Sequence, residues 1–243
     1  MSEIETLLGE ALGRPGANIG ALGLAWARVM PAVMIVPAFG LRALPRPAQA
    51  LMGLGLAGCV APVLPPSGAF GSNPWLLEAL VEVLRGIPVA LAAAVPLWAA
   101  TMAGGMADAL RASQDTVSAP TVEGRATPLG VPLSLLSCAI FLGTGGPARV
   151  ARALAFRPLG EHPLLAATTD LVDGIGLAVA LGGPLLAAGV IADIAAALIA
   201  RAAAPAQVHA LLAPLRALGM LAVMGLVFDR LAAVLTRVVQ ATP

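Results

Sequence analysis

Charge is scarce in this chain. Charged side chains make up 11% of its 243 residues, whereas a soluble domain carries about 25%. With 59% hydrophobic residues and a mean hydropathy of +0.92, the shortfall excludes an ordinary soluble globule and implies a membrane-derived or wholly encased helical protein. Lysine is missing, since all fourteen basic residues are Arg, a bias we ascribe to genome composition. The net charge is +1 and no block of like charge occurs, which argues against nucleic acid or an acidic substrate as partner. Cys59 and Cys138 have no second Cys or His at ligand spacing and read as small buried hydrophobes. The first sixteen residues are acidic and lack the basic start of a signal peptide, so the later apolar segments are expected to direct insertion. No nucleophile is paired with a base, no metal cluster or phosphate loop is present, and Asp170 with Asp173 lacks an acid/base setting. The sequence therefore predicts neither an enzyme nor a cofactor.

What is present is organised around a polar island, AGGMADALRASQDTVSAPTVEGRATPLG, from Ala103 to Gly130. Gly86 to Ala107 and Ala126 to Ala148 carry no charge, and each is long enough to cross about 30 Å of hydrocarbon as a helix. The island opens helically, with Asp108, Arg111 and Asp115 on one face. Pro120, Gly124 and Pro128 then break the pattern, so Ser118 to Gly130 reads as a loop. Such a loop is either a surface excursion or a segment held inside a polar conduit.

Elsewhere the chain reads as helices punctuated by Pro and Gly. Residues 1 to 18 suit one short amphipathic helix ended by Pro15 and Gly16. Ile19 to Leu41 is the first apolar segment, and Arg28 within it should face other helices or water. Three prolines between Pro37 and Gln49 turn the chain back. Ala48 to Pro66 is the second apolar segment. Gly53, Gly55 and Gly58 there form G-x-G-x-x-G with Glu78 further on, but no strand precedes them, so they are assigned to close helix packing rather than to a nucleotide. A helix begun at Pro74 should run to about Arg111, some 55 Å, broken or bent at Pro88 and Pro96. Glu78, Glu82 and Arg85 share one of its faces and read as a solvated helix end. After the island, Ala126 to Ala148 forms another apolar helix, broken at Gly145, Gly146 and Pro147. Arg149, Arg152 and Arg157 follow as a basic cluster suited to lipid headgroups. His162, beside Glu161 in a linker, reads as a solvated loop residue.

The last third reads as a unit of its own. Leu164 to Ala200 is one long apolar helix, with Asp170 and Asp173 at a solvated start and Asp193 isolated near its end, where an acid needs a partner. After a short turn at 201 to 207, a second helix runs to about Gln240. His209, Arg216, Val223, Arg230 and Arg237 recur every seven residues along it, a seam available for subunit packing or for Asp193. Two helices and a short turn make an antiparallel hairpin.

The order of these features resembles the FliR/SctT export-apparatus family of flagellar and injectisome type III secretion systems. The resemblance rests on ARVMPAVMIVPAFGLRALPRPAQ at 27 to 49, AGGMADALRASQ followed by Pro120 and the PLG of 128 to 130, and IFLGTGG at 140 to 146. Pro184, Gly189, Arg201 and Pro205 complete it, and Asp108 with Arg111 is closer to the injectisome branch. The resemblance implies an all-α, multi-pass protein of the bacterial inner membrane, with P-subunit-like hairpins over 1 to 163 and a Q-subunit-like hairpin over 164 to 243. It implies assembly with P- and Q-type subunits, other export-apparatus membrane proteins and lipid, in a partly raised channel that passes unfolded exported proteins. The island would be the plug of that channel, with Asp108, Arg111, Ser113, Gln114, Asp115, Pro120, Glu123, Gly124 and Arg125 as its polar residues. Ala112 stands where the family usually has Gly, and the island lacks the family's bulky aromatics. The competing reading is a stand-alone multi-pass transporter for a small solute, which an internal inverted repeat would favour; none is visible.

Overall fold

The computed structural model describes residues 19–39, 45–63, 75–110, 127–156, 163–202 and 209–241, and over these the chain is helical with no strand. Helix α1, Ile19–Ile35, is followed by a short 3-10 turn, Pro37–Phe39. Helix α2 is Arg46–Val60, with Pro47 in its first turn where no helical N–H bond is lost. Helix α3 is Trp75–Leu110, α4 is Gly130–Gly143 and α5 is Gly146–Phe156. Helices α6, Pro163–Ala202, and α7, His209–Ala241, complete the chain.

Helix α3 is the mast. It packs against α6, α1 and α4, and more lightly against α5 and α7. Its middle is apolar on every side, and Ala90, Ala92, Ala93, Ala94, Ala99, Ala100, Ala103 and Ala107 are all buried, as expected of a helix enclosed by others. Small side chains let neighbouring backbones come close. Of the break or bend expected at Pro88 and Pro96, the break does not occur: α3 is one continuous helix through both. Pro96 is itself fully buried, and packing from all sides holds the backbone where the ring removes a hydrogen bond.

Buried residues climb this mast in three clusters. The first joins α1, α2 and the middle of α3 to Phe141, Val150, Leu154 and Val239. In the second, Ala99, Ala100 and Ala103 meet Leu133, Ala178, Leu181, Leu231 and Leu235. The third, at the far end, joins Ala107, Leu129 and Leu185. These pairings make α6 parallel to α3 and make α4 and α7 antiparallel to it. The hairpin of α6 and α7 therefore shares its core with α3.

Between α4 and α5 the chain turns by 66°. The turn falls at Thr144 and Gly145, with Gly145 at φ +74°, where a side chain is strained. Gly146 and Pro147 begin the next helix rather than ending the last, and Gly146 lies flat against the Phe141 ring, which packs edge-on against Phe39 at 6.0 Å. The expected helix over Ala126 to Ala148 thus starts four residues later and continues, bent, to Phe156. Among the described residues two helices are long and apolar enough to cross a membrane, α3 and α6, or three spans if the bent pair counts as one. The other apolar segments expected from the sequence fold into shorter helices or fall short of that apolarity.

Two assignments of small residues change. Gly53 packs on Trp26, where an added Cβ would lie 3.2 Å from the indole nitrogen, but Gly55 and Gly58 are exposed with nothing within 4 Å. Cys138 is buried as expected, whereas Cys59 is exposed. Both exceptions lie on the outer face of α2, beside exposed Leu51, Met52 and Leu54. The expected helix over 1 to 18, the loop before α3 and the linker holding Arg157 and His162 lie outside the described residues.

Candidate functional site

The far end of α3 meets the start of α4 at a tight neck. A Cβ on Gly104 would come within 2.6 Å of the Gly130 Cα, and one on Gly130 within 2.7 Å of the Thr127 hydroxyl oxygen, so the two backbones touch and only Gly fits at this crossing. Beside it the Asp108 carboxylate, 0% exposed, accepts the Leu129 N–H at 2.6 Å. This bond places a negative group on one of the unpaired N–H donors at the beginning of α4, where the helix dipole favours it. Thr127 supplies the next cap, its hydroxyl accepting the Gly130 N–H at 3.2 Å. Leu129 and Ala107 close over the neck against Leu185 of α6.

A second polar anchor lies toward the other end of α3. The Glu82 carboxylate accepts Arg28 Nε at 2.5 Å through one oxygen and Arg85 Nη1 at 2.6 Å through the other. Arg28 also donates through Nη1 to the Leu154 carbonyl of α5, at 2.9 Å. One buried carboxylate thus joins α1 to α3, and its Arg partner reaches α5. The backbones of α1 and α3 cross beside it, where Gly86 faces the Arg28 carbonyl with no room for a side chain. Arg28 therefore faces other helices, as its cost in hydrocarbon requires. Glu78 and Glu82, expected at a solvated helix end, are 8% and 3% exposed instead. The sequence places them on one helical face but does not say that α1 would cover that face.

Arg149 forms a third anchor. Its guanidinium bonds to the Thr144 carbonyl at the end of α4 and, through Nη2 at 2.8 Å, to the Val239 carbonyl near the end of α7. One cation thereby serves the orphan carbonyls of two helix C-termini, the position at which positive charge is favoured. It is turned into the protein rather than toward headgroups, while its neighbour Arg152 is exposed.

Of the residues expected to matter, Asp108 and Arg28 are brought into buried polar contacts. Asp193 is partly buried on α6. Arg230 and Arg237 are exposed, and the face of α7 that enters the core is Leu231, Leu235 and Val239. Asp173 is exposed and Asp170 partly buried at the start of α6. Arg111, Ser113, Gln114, Asp115, Pro120, Glu123, Gly124 and Arg125 lie outside the described residues, as do the side chains of His209 and Arg216. Sequence reasoning missed Thr127 and placed Glu82 at a solvated helix end, where the structure buries it. A Thr three residues before Gly130, at the start of an apolar run, is a cap signal, and an acid at helical spacing from Arg85 is half of the Glu82 cluster.

Among the described residues these polar groups join one helix to another. Over 73 residues the chain is 38% identical to "Secretion system apparatus protein SsaT" of Salmonella typhimurium strain LT2, a match covering 30% of this chain and 28% of that protein. The model of the family described as bacterial export proteins, family 1, matches residues 19–242, nearly the whole chain. This chain therefore belongs to the bacterial export proteins, family 1, the FliR/SctT family that the order of its motifs resembles.

Proposed function

We propose that the protein is a core subunit of a type III secretion export gate in the bacterial inner membrane, and that the segment between Leu110 and Thr127 helps to close its channel. The reading is carried by one observation: both ends of that segment are pinned together at the end of α3, the more enclosed of the two long apolar helices, by the bond from Leu129 to Asp108. A polar segment fixed at its two ends can fill a lumen at rest and be displaced at modest cost. Likeness to a secretion system apparatus protein supports the same assignment, and the pairing of Asp108 with Arg111 in the sequence favours the injectisome branch.

Assembly with other subunits follows from the outer surface. Val172, Ile175, Val179, Ile191, Ile194 and Leu198 of α6 are all more than half exposed, and an apolar face of this size calls for lipid or protein cover. The register of α6 on α3 bears on which. Gly174 packs on Val95 and Gly182 beside Ala103, so exposed Asp173 lies about 12 Å past Gly86 along the charge-free stretch of α3, at 1.5 Å per residue. A single flat hydrocarbon slab does not suit both charge-free bands. We assign part of the cover to P- and Q-type subunits, in an assembly partly raised out of the bilayer, with residues 1 to 163 serving as the P-like part and 164 to 243 as the Q-like hairpin. The basic seam of His209, Arg216, Arg230 and Arg237 then meets a neighbouring subunit, and Asp193 supports assembly from the facing helix.

The test is deletion of Ser113 to Glu123 in the assembled complex. Leakage of ions or small molecules through membranes carrying the intact assembly is expected. Unchanged conductance in an assembled complex removes the closing role.

A further inference from the structure

Taking the protein as a subunit of a larger assembly, as proposed above, we infer that the start of α3 docks an apolar helix of a neighbouring subunit, and that Glu78 receives an Arg or Lys from it. Over its first three turns α3 is inside out. Leu76, Leu77, Leu80, Val81 and Leu84 are all at least 45% exposed, whereas Glu78 and Glu82 are buried. A helix bordered by water turns the other way, apolar face in and charge out. Leu76, Leu80 and Leu84 recur every four residues, and Leu77 with Val81 makes a parallel row. Rows of this spacing are the ridges between which a second helix seats its own side chains.

Glu78 decides what covers this face. Glu82 is matched by Arg28 and Arg85, but no hydrogen bond or ion pair joins Glu78 to any described residue. Nor does α1 offer a cation at this level. Trp75 packs on Gly23, Arg28 is committed to Glu82 and the Leu154 carbonyl, and Leu24 to Ala27 between them are uncharged. A place in the first turn of α3 suits an acid through the helix dipole, yet a solvated carboxylate would gain the same, so the dipole does not account for burial. Glu82, four residues on, adds repulsion between like charges. Being three residues from Val81, Glu78 lies beside it at the edge of the exposed rows. Lipid tails alone would leave this acid bordering hydrocarbon without a counter-charge, a costly arrangement. A helix that brings apolar side chains to the leucine ridge and one basic group to its edge satisfies both.

The experiment uses the full chain, tagged and coexpressed with P- and Q-type subunits, and compares the subunits recovered with Glu78→Gln and with the unmodified chain. Gln keeps the size of Glu and removes only the charge. The expected result is normal accumulation of the chain in membranes with about tenfold less neighbouring subunit recovered, the worth of one bond to a charged group. Full recovery with Glu78→Gln overturns the inference and leaves the subunit reading standing. An unmodified chain that brings down neither type of subunit overturns both. If Glu78→Gln itself fails to accumulate, a photoreactive benzoylphenylalanine in place of Leu80, with Glu78 unchanged, decides the matter. An adduct on a neighbouring subunit's helix, with Arg or Lys within a turn of the crosslinked position, is expected. An adduct on lipid, or on a segment without a basic residue, overturns the docking face.

Discussion

Replacing Glu82 by Gln isolates the charge that joins α1 to α3. The two side chains have the same shape, and Gln keeps one oxygen to accept a bond, so packing is left nearly intact. The negative charge is lost, and Arg28 and Arg85, with side chains only 12% and 23% exposed, then face each other at a buried crossing. Removing one partner of a buried ion pair costs about 3–5 kcal/mol. The remaining amide bond returns about 1 kcal/mol, leaving a loss of roughly 2–4 kcal/mol, or about thirtyfold to several hundredfold in the folding equilibrium. Arg28→Met alone should cost less, because Glu82 keeps Arg85. Combining the two changes should cost less than their sum, since residues in one network couple. The assay is the denaturation midpoint of the detergent-solubilised complex, with exposed Arg152→Gln as reference. If Glu82→Gln melts with that reference, the carboxylate does not hold the crossing and the argument fails.

Further substitutions probe the remaining joints. Gly104→Val should prevent α3 and α4 from meeting and abolish accumulation of the chain in membranes; normal accumulation would refute the close crossing. Asp108→Asn should lower stability by about 1.5–3 kcal/mol, the worth of a bond to a charged group, read as a lower midpoint in the same denaturation assay. Arg149→Gln frees the carbonyls at two helix ends and should make the end of α7 accessible to protease, checked by limited proteolysis of the solubilised complex. Gly55→Ala fills open space on an exposed helical face and should raise stability by about 0.5–1 kcal/mol, read as a higher midpoint, unless a partner subunit occupies that face, in which case assembly measured by co-purification falls.

The resemblance to the export family was legible because it is written in punctuation: the prolines and glycines at 37 to 49, 120 to 130 and 140 to 147 keep their order whatever packs on them. The site was less legible. Asp108 stood out as the first charge after a long apolar run, but its partner Leu129 is a backbone donor, and a backbone N–H leaves no mark in the residue code. Glu82 was misjudged for a similar reason. Helical spacing assigns a residue to a face, and only the approach of another helix decides whether that face is wet.

What the sequence determined by itself is the helical class, the extents of α3, α6 and α7, and the polar interruption between two charge-free stretches. These follow from local rules, since apolar runs form helices and Pro with Gly ends them. Tertiary structure alone decided that α3 stays unbroken through Pro88 and Pro96, that Glu82 and Arg149 turn inward, and that α6 lies parallel to α3. Those outcomes depend on which helices surround a residue. Enclosure on all sides supports a backbone that proline would otherwise break, and a charge is buried only where folding delivers its partner.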